Sequence, residues 1–173
     1  MTEPQLAPVS YADFVHDVIA IADALDSDQW RPDHIVGIGR GGLVPGAYLS
    51  HRTGISLLSV DHSSGVAGFA GELLAKLAAN LNEGHNILLV DDINDSGTTI
   101  ATIRDAIAGH GGAMERLRVA VLIDNQRSAA QVDYRARTID RANDKRWFVF
   151  PWEAMADRAT LIEEAGEVPE RLA

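Results

Sequence analysis

Cysteine is absent from the 173 residues of this chain, which excludes disulfides, thiolate nucleophiles and cysteine-ligated metal clusters. No apolar run approaches the roughly 18 residues of a membrane span, and residues 1–10 lack the basic and apolar stretches of a signal peptide. We therefore expect a cytoplasmic protein without a membrane partner. Basic residues are few, 15 against 25 acidic ones, so the net charge is −10. That charge repels phosphate backbones, and nucleic acid is not an expected partner.

Apolar residues make up 46% of the chain and charged residues 23%, as in an ordinary globular protein. The length predicts one domain, 1–173. The predicted helices are 11–25 (capped by Ser10 and Asp13), 43–52, 72–81 and 100–108. The predicted strands are 34–38, 55–60, 86–90, 117–123, 132–137 and 147–150. This alternation predicts an α/β fold, a parallel sheet with helices on both faces.

Ligands of such sheets bind beyond the carboxyl ends of the strands. A glycine-rich turn, 39–42, and a polar loop, 91–99, both follow predicted strands. A second glycine-rich stretch, 62–71, is predicted to be a mobile loop. The carboxyl edge of the sheet is therefore the predicted site.

The most informative segment is 87–99, with the sequence Ile-Leu-Leu-Val-Asp-Asp-Ile-Asn-Asp-Ser-Gly-Thr-Thr. Asp91 and Asp92 end a buried strand, where they could accept hydrogen bonds from a vicinal diol or face a hydrated Mg²⁺. The following turn offers backbone amides, hydroxyls and a helix N-terminus to a phosphate; it consists of Asp95, Ser96, Gly97, Thr98 and Thr99. A phosphate cradle beside a diol acceptor describes a ribose 5-phosphate site.

This segment resembles the phosphoribosyl-diphosphate signature of the type I phosphoribosyltransferases. Residues 35–46, Ile-Val-Gly-Ile-Gly-Arg-Gly-Gly-Leu-Val-Pro-Gly, resemble the pyrophosphate loop of that family. Residues 147–153, Trp-Phe-Val-Phe-Pro-Trp-Glu, resemble the base-binding hood of bacterial and archaeal-type xanthine, guanine and hypoxanthine phosphoribosyltransferases. The resemblance covers roughly 9–153 and implies the type I fold with a small hood formed mainly by 138–155.

The resemblance implies a role for each matched residue. Asp91 and Asp92 would hold the ribose hydroxyls, and the turn from Asp95 to Thr99 would wrap the 5-phosphate. Asp95 would also exchange a proton with the purine N7. Arg40 and the Gly41 amide would take the pyrophosphate, in a turn expected to contain a cis Gly39–Arg40 peptide.

The implied base site lies under the hood. Trp147, next to Phe148, would stack on one face of the purine, with Ile93 on the other. Glu153 would lie near Mg²⁺, shared with Asp91 and Asp92 and partly through water, or near the exocyclic group of the base. Asn125 stands where related enzymes usually carry a lysine that donates to O6, and Arg127 could restore that cation if the loop shifts.

The implied activity is a Mg²⁺-dependent transfer of phosphoribosyl from phosphoribosyl diphosphate to a 6-oxopurine, with loop 62–71 as a lid. Asn125 predicts weak discrimination among hypoxanthine, guanine and xanthine, with adenine left open. A homo-oligomer, dimer or tetramer, is also expected. The alternative from another class is a non-catalytic regulator that senses phosphoribosyl diphosphate or a nucleotide on the same fold.

Other hypotheses about the same residues have less support from the sequence. Residues 37–42 satisfy the G-x-G-x-x-G dinucleotide fingerprint, with Asp61 at the matching distance, but that hypothesis leaves 91–99 unexplained. Residues 91–95 match the D-D-x-x-D pattern of polyprenyl diphosphate synthases, whose acids lie on helices rather than after a strand. Asp91 and Asp92 could form a solvated strand end, Arg40 could be a surface charge, and Trp147 could be a core or oligomer contact.

Overall fold

The computed structural model describes residues 4–60 and 69–166 of the chain. The loop predicted at 62–71 lies outside the described residues up to 68, and residues 69–71 already belong to a helix. The lid function predicted for this loop therefore stays a prediction. The same holds for Asp61 of the dinucleotide fingerprint.

The elements follow the predicted alternation. The strands are β1 (Leu6–Pro8), β2 (His34–Ile38), β3 (Ser56–Val60), β4 (Ile87–Asn94), β5 (Leu117–Asn125), β6 (Tyr134–Ile139) and β7 (Trp147–Val149). The helices are α1 (Tyr11–Ser27), α2 (Gly39–Thr53), α3 (Phe69–Asn82), α4 (Thr98–Gly109) and α5 (Arg158–Gly166), and 3₁₀ turns span Met114–Arg116 and Glu153–Met155. The Ser10 hydroxyl accepts a hydrogen bond from the Asp13 amide, which confirms the predicted cap of α1.

Five strands form one parallel sheet in the order β3-β2-β4-β5-β6. This confirms the predicted α/β fold. β1 and β7 form a separate two-stranded parallel pair, in which Leu6 is opposite Trp147. The sequence analysis missed β1, because three residues are too few to show an alternating pattern.

Each face of the five-stranded sheet is covered by helices. On one face, α1 and α2 bury Phe14, Ile21 and Leu49 against side chains of β2, β4 and β5. On the other face, α3 and α4 bury Leu77 and Ile103 against the alternate residues of the same strands. The central strands are covered on both faces, which explains why they are continuous apolar runs in the sequence. None of the helices in the described ranges is both long and apolar enough to cross a membrane.

Several predicted boundaries at the carboxyl edge are wrong. β5 and β6 continue past their predicted ends at 123 and 137 to Asn125 and Ile139. β4 continues past Val90 to Asn94, since Asp91 and Ile93 remain paired with Val121 and Ile123 of β5. The expected turn at 39–42 is instead the first turn of α2, which begins directly after β2. The expected cis peptide is not found: within the described residues every peptide bond is trans, and Gly39 turns the chain with a φ of 52°.

Candidate active site

The site begins where β4 ends, against the first turn of α2. Asp91 and Asp92 are each 9% exposed. A β-carbon on Gly42 would lie 2.0 Å from the Val90 carbonyl oxygen, and one on Gly41 would lie 2.6 Å from the Asp92 carboxylate. Glycine is therefore required for α2 to approach the strand this closely. This approach brings the N-terminus of α2 next to both acids.

The environment of the two adjacent acids disfavours their ionised forms. Burial, followed by the charge of Asp92, raises the pKa of Asp91 well above its usual range. Burial also raises the pKa of Asp92 to about 6, although the Ile93 amide donates to its carboxylate at 2.7 Å. Glu153 has a pKa raised to about 7, first by burial and then by Asp92 and Glu164, against hydrogen bonding from the Phe150 amide. A ligand that brings positive charge or hydrogen-bond donors would stabilise the ionised form of these three carboxyl groups.

The predicted phosphate turn leads directly into α4. Gly97 has a φ of 87°, a left-handed conformation that favours glycine, and serves as the N-cap of α4. The Ser96 hydroxyl lies 3.0 Å from that of Thr98, so both hydroxyls point to the same small volume. Neither Gly97 nor Ile38, which caps α2, hydrogen-bonds the helix amides through a side chain within the described residues. The Thr98 amide instead donates to the Ser96 hydroxyl at 3.3 Å. Both helix N-termini reach the carboxyl edge of the sheet, where helix N-terminal amides can bind anions.

A cavity of about 330 Å³ opens between these groups. Its walls combine the strand-end acids, the phosphate turn and one aromatic ring: Asp91, Asp92, Ile93, Asn94, Asp95, Ser96, Gly97, Thr98, Thr99, Ile100 and Trp147. Most of the residues predicted to contact the substrate thus share one cavity. The other predicted site residues lie outside its walls: Arg40, Gly41, Asn125, Phe148 and Glu153.

Asp95 is held by an arginine that the sequence analysis did not single out. Nε and Nη2 of Arg141 each donate to one oxygen of the Asp95 carboxylate, both at 2.8 Å. Arg141 is 1% exposed, whereas the Asp95 side chain is 22% exposed and lines the cavity. The sequence carried no signal for this pair, since Arg141 lies in the charged run 140–146, which is typical of an exposed loop.

The Asn125 side chain forms hydrogen bonds with backbone groups around the site. Its Nδ2 donates to the Asp95 carbonyl at 2.9 Å, and its Oδ1 accepts from the amides of Arg127 and Arg141, both at 3.2 Å. The side chain is buried, and its oxygen and nitrogen are both engaged with the protein. Arg127 donates to Asp140 at 2.5 Å, so its guanidinium is turned to the hood. Both side chains thus have partners within the described residues, and their expected contact with a base stays a prediction.

The hood packs on aromatic rings. The Phe148 ring lies 5.3 Å from the Arg141 guanidinium carbon and 5.5 Å from that of Arg146, so it supports both cations rather than facing the cavity. Trp152 stacks on Phe150 with ring centres 4.9 Å apart, which places it in the core. Trp147 is the hood residue that reaches the cavity wall.

The acids fit a magnesium ion that is completed by a ligand. Mg²⁺ prefers carboxylate oxygens and commonly keeps waters and substrate phosphates in its shell. Asp91 and Asp92 offer such oxygens. Burial raises both pKa values, and a bound cation would favour the ionised carboxylates. Within residues 4–60 and 69–166, no three acidic or histidine side chains are grouped as a metal site. Asp91, Asp92 and Glu153 therefore need ligand oxygens to complete any such shell.

A parallel sheet with helices on both faces, and with paired acids and a helix N-terminus at its carboxyl edge, defines an α/β protein with its candidate ligand site at that edge. Many solved structures share this fold, among them the following three. A purine phosphoribosyltransferase from Pyrococcus horikoshii is 24% identical, with a TM-score of 0.65 over 86% of this chain and 94% of the other. The xanthine-guanine-hypoxanthine phosphoribosyltransferase of Helicobacter pylori is 18% identical, with a TM-score of 0.65 over 87% and 95%.

The third is a hypothetical protein from Neisseria gonorrhoeae with bound ppGpp, which is 20% identical, with a TM-score of 0.68 over 100% of both chains. At these identities the likeness shows the fold. The phosphoribosyl transferase domain family matches residues 10–158, and the chain belongs to that family. The resemblance to type I phosphoribosyltransferases is thereby confirmed.

Proposed function

We propose that the protein transfers the 5-phosphoribosyl group of phosphoribosyl diphosphate to a 6-oxopurine base and releases pyrophosphate. The observation that carries this proposal is the shared cavity, in which Asp91 and Asp92, the phosphate turn and Trp147 face one another. The acids can accept hydrogen bonds from the ribose hydroxyls, and the amides and hydroxyls of 95–99 can hold the 5-phosphate. Trp147 offers a ring on which a purine can stack.

The reaction forms a bond between the purine N9 and the ribose C1 and breaks the bond from C1 to the pyrophosphate oxygen. The bonding electrons leave with the pyrophosphate, and a proton passes from the base to Asp95 at N7. Arg40 and the amides of the first turn of α2 would stabilise the charge on the leaving group. Asp91 and Asp92 would orient the ribose as its C1 becomes electron-poor.

Magnesium belongs to this proposal as a cofactor. When bound, it would supply positive charge to the leaving pyrophosphate. Asp91 and Asp92 would hold it on the protein side, with Glu153 reached through water. Removal of Mg²⁺ with a chelator is expected to abolish turnover, and added Mg²⁺ should restore it.

The base preference follows from what the site offers. Related enzymes donate to O6 from a lysine, whereas Asn125 is engaged with the Asp95 carbonyl and with two backbone amides. A site without that charged donor should distinguish weakly among hypoxanthine, guanine and xanthine.

The decisive experiment measures pyrophosphate release and nucleotide formation with phosphoribosyl diphosphate and Mg²⁺. The bases are hypoxanthine, guanine, xanthine and adenine, and kcat/KM is determined for each. We expect turnover with the 6-oxopurines at rates within about 10³-fold of one another, equivalent to roughly 4 kcal/mol. A stronger preference for one base would contradict the Asn125 argument, and no turnover with any base would contradict the proposed activity.

A second candidate is a regulator that binds a nucleotide without turning it over. The observation that favours it is a nucleotide bound to a protein of this fold. The Neisseria gonorrhoeae protein of the same fold carries ppGpp. Calorimetric binding of ppGpp at micromolar concentration, together with no turnover in the base panel, would support this candidate over the enzyme.

Homo-oligomer formation, as a dimer or tetramer, is also part of the proposal. Large apolar side chains are exposed near one another: Tyr11 and Tyr48 have ring centres 6.3 Å apart and are 60% and 38% exposed. Light scattering coupled to size exclusion gives the mass in solution. A monomer at all concentrations would contradict this part of the proposal.

A further inference from the structure

Arg141 is the largest fully buried side chain in the described part of the chain, and it is charged. Its guanidinium donates four hydrogen bonds: two to Asp95, one to the Asp144 carbonyl at 3.2 Å and one to the Arg146 carbonyl at 2.6 Å. Burial of a cation is costly unless it is paired and hydrogen-bonded in this way. Burial of the Arg141 guanidinium therefore has a desolvation cost, which an arginine in an exposed loop would not have.

The contact joins two parts of the site. Asp144 and Arg146 lie in the segment between β6 and β7, residues 140–146, which we name the hood loop. Asp95 begins the phosphate turn. The hood loop leads directly into Trp147, the aromatic wall of the cavity. One guanidinium thus fixes the phosphate turn and the strand that carries the aromatic wall relative to each other.

The geometry leaves Asp95 accessible while it fixes the carboxylate. A side-on arginine uses one lone pair on each carboxylate oxygen and sets the plane of the carboxylate. Asp95 remains 22% exposed on the cavity wall, so its other lone pairs can meet a ligand. Asn125 donates to the Asp95 carbonyl at 2.9 Å and so holds the backbone of the same residue. Without Arg141 the side chain of Asp95 would be free to rotate.

We propose that Arg141 is a positioning residue, which orients the Asp95 carboxylate toward the base and holds the hood loop to the phosphate turn. This inference rests on the proposed function, in which Asp95 exchanges a proton with N7. Arg141 itself contacts no substrate in this assignment. Asn125 still holds the Asp95 backbone when Arg141 is replaced. The effect of Arg141 therefore belongs to the chemical step and to base binding, and the affinity for phosphoribosyl diphosphate should be spared.

The test compares three variants in the base panel with the full chain. Arg141→Met keeps an aliphatic side chain and removes the guanidinium. Arg141→Lys keeps the positive charge but cannot form the bidentate contact with the carboxylate. Arg146→Met is the matched control, because Arg146 lies over the same Phe148 ring but is exposed and paired with Asp144 at 2.7 Å. We expect kcat to fall about 10²-fold in Arg141→Met, since small misplacements of a reacting group have effects of that size.

In Arg141→Lys the expected kcat lies between those of Arg141→Met and wild type, and Arg146→Met should match wild type. KM for phosphoribosyl diphosphate should stay within about twofold in all three. In an Asp95→Asn background, Arg141→Met should change kcat by less than about threefold, because the group it positions is gone. An equally large loss in both backgrounds would show a merely structural role and overturn the inference.

The Tm of each variant distinguishes loss of the fold from misorientation of the Asp95 carboxylate in a folded protein. If Arg141→Met does not fold, Arg141→Lys decides, and wild-type kcat in folded Arg141→Lys overturns the inference. Turnover in wild type with no loss in Arg141→Met overturns only the role of Arg141. Absence of turnover in wild type overturns the proposed function and this inference with it, so the two failures are distinguishable.

Discussion

The Asn125 side chain, at the end of β5, donates to the Asp95 carbonyl at 2.9 Å. The same side chain accepts from the amides of Arg127 and Arg141, so one buried amide ties three backbone segments together. This position therefore organises the site from behind the cavity. Asn125 thus supports the backbone around Asp95, a role that the sequence analysis did not predict.

Asn125→Lys is accordingly expected to destabilise the fold and not to create a preference for 6-oxopurines. The variant loses three hydrogen bonds and brings an ammonium into a buried position. Unsatisfied buried polar groups and buried charge together predict a loss of roughly 2–4 kcal/mol in the free energy of unfolding. Urea unfolding and the base panel measure both effects. A stable variant with a sharpened 6-oxopurine preference would show that the lysine reaches the base after all.

Asp95→Asn should affect the chemical step far more than sugar-phosphate binding. Asparagine keeps the shape of the turn but cannot exchange a proton with N7, and general acid–base roles contribute about 10²–10⁴-fold to rate. We expect that loss in kcat with near-normal affinity for phosphoribosyl diphosphate. Loss of the charged partner of Arg141 should also lower stability by about 1.5–3 kcal/mol.

The control for this variant is Asp105→Asn, which neutralises an exposed acid on α4. It should leave both kcat and stability near wild type. Steady-state kinetics and thermal unfolding are measured on both proteins. An unchanged kcat in Asp95→Asn would remove Asp95 from the chemistry.

Trp147→Ala should weaken base binding selectively. Stacking of a base on an aromatic side chain contributes about 1–3 kcal/mol, which corresponds to a rise of roughly 5- to 150-fold in KM for the base. Trp147→Phe keeps a ring at this position and should lose much less. KM for phosphoribosyl diphosphate should stay near wild type in both variants. An equal rise in both KM values would point to a general collapse of the cavity.

Gly42→Ala should be strongly destabilising, because its β-carbon would lie 2.0 Å from the Val90 carbonyl oxygen and the backbone must shift. Overpacking of this kind costs about 1–3 kcal/mol or more. Gly109→Ala is the control, since a β-carbon there meets nothing within 4 Å. Alanine in a helix is favoured over glycine by roughly 0.5–1 kcal/mol, so Gly109→Ala should be neutral or stabilising. Equal unfolding midpoints for the two variants would contradict the close approach of α2 to β4.

Asp28→Asn should reduce stability in a pH-dependent way. The Trp30 amide, the Tyr134 hydroxyl and the Arg118 guanidinium donate to the Asp28 carboxylate and lower its pKa from 3.8 to about 2. A pKa lowered in the folded state stabilises the protein above pH 3.8, and the contribution is lost as the pH falls toward 2. The difference in Tm between wild type and variant should therefore be full at pH 7 and shrink between about pH 4 and 2. Asp26→Asn, an exposed neighbour, should show no such difference.

Much of the site could be predicted from contiguous residues. Asp91 and Asp92 and the turn from 95 to 99 owe their geometry to near neighbours, because an apolar strand precedes them and a helix follows them. The cavity wall follows this segment residue by residue from Asp91 to Ile100. The strand boundary was missed, because pairing of Asp91 to Val121 extends β4 beyond its apolar run.

The sequence alone determined the fold class, the edge of the sheet that carries the site and the phosphate turn, because periodicity, small residues and strand-end acids are local properties. The tertiary structure alone decided which groups hold these parts together. Arg141 meets Asp95 across 46 positions, and Asn125 meets it across 30. Such partners are selected by how β5, the hood loop and the phosphate turn pack in three dimensions. The sequence around an arginine in a charged run is the same whether its side chain is exposed to solvent or buried against a carboxylate, so it does not predict which occurs.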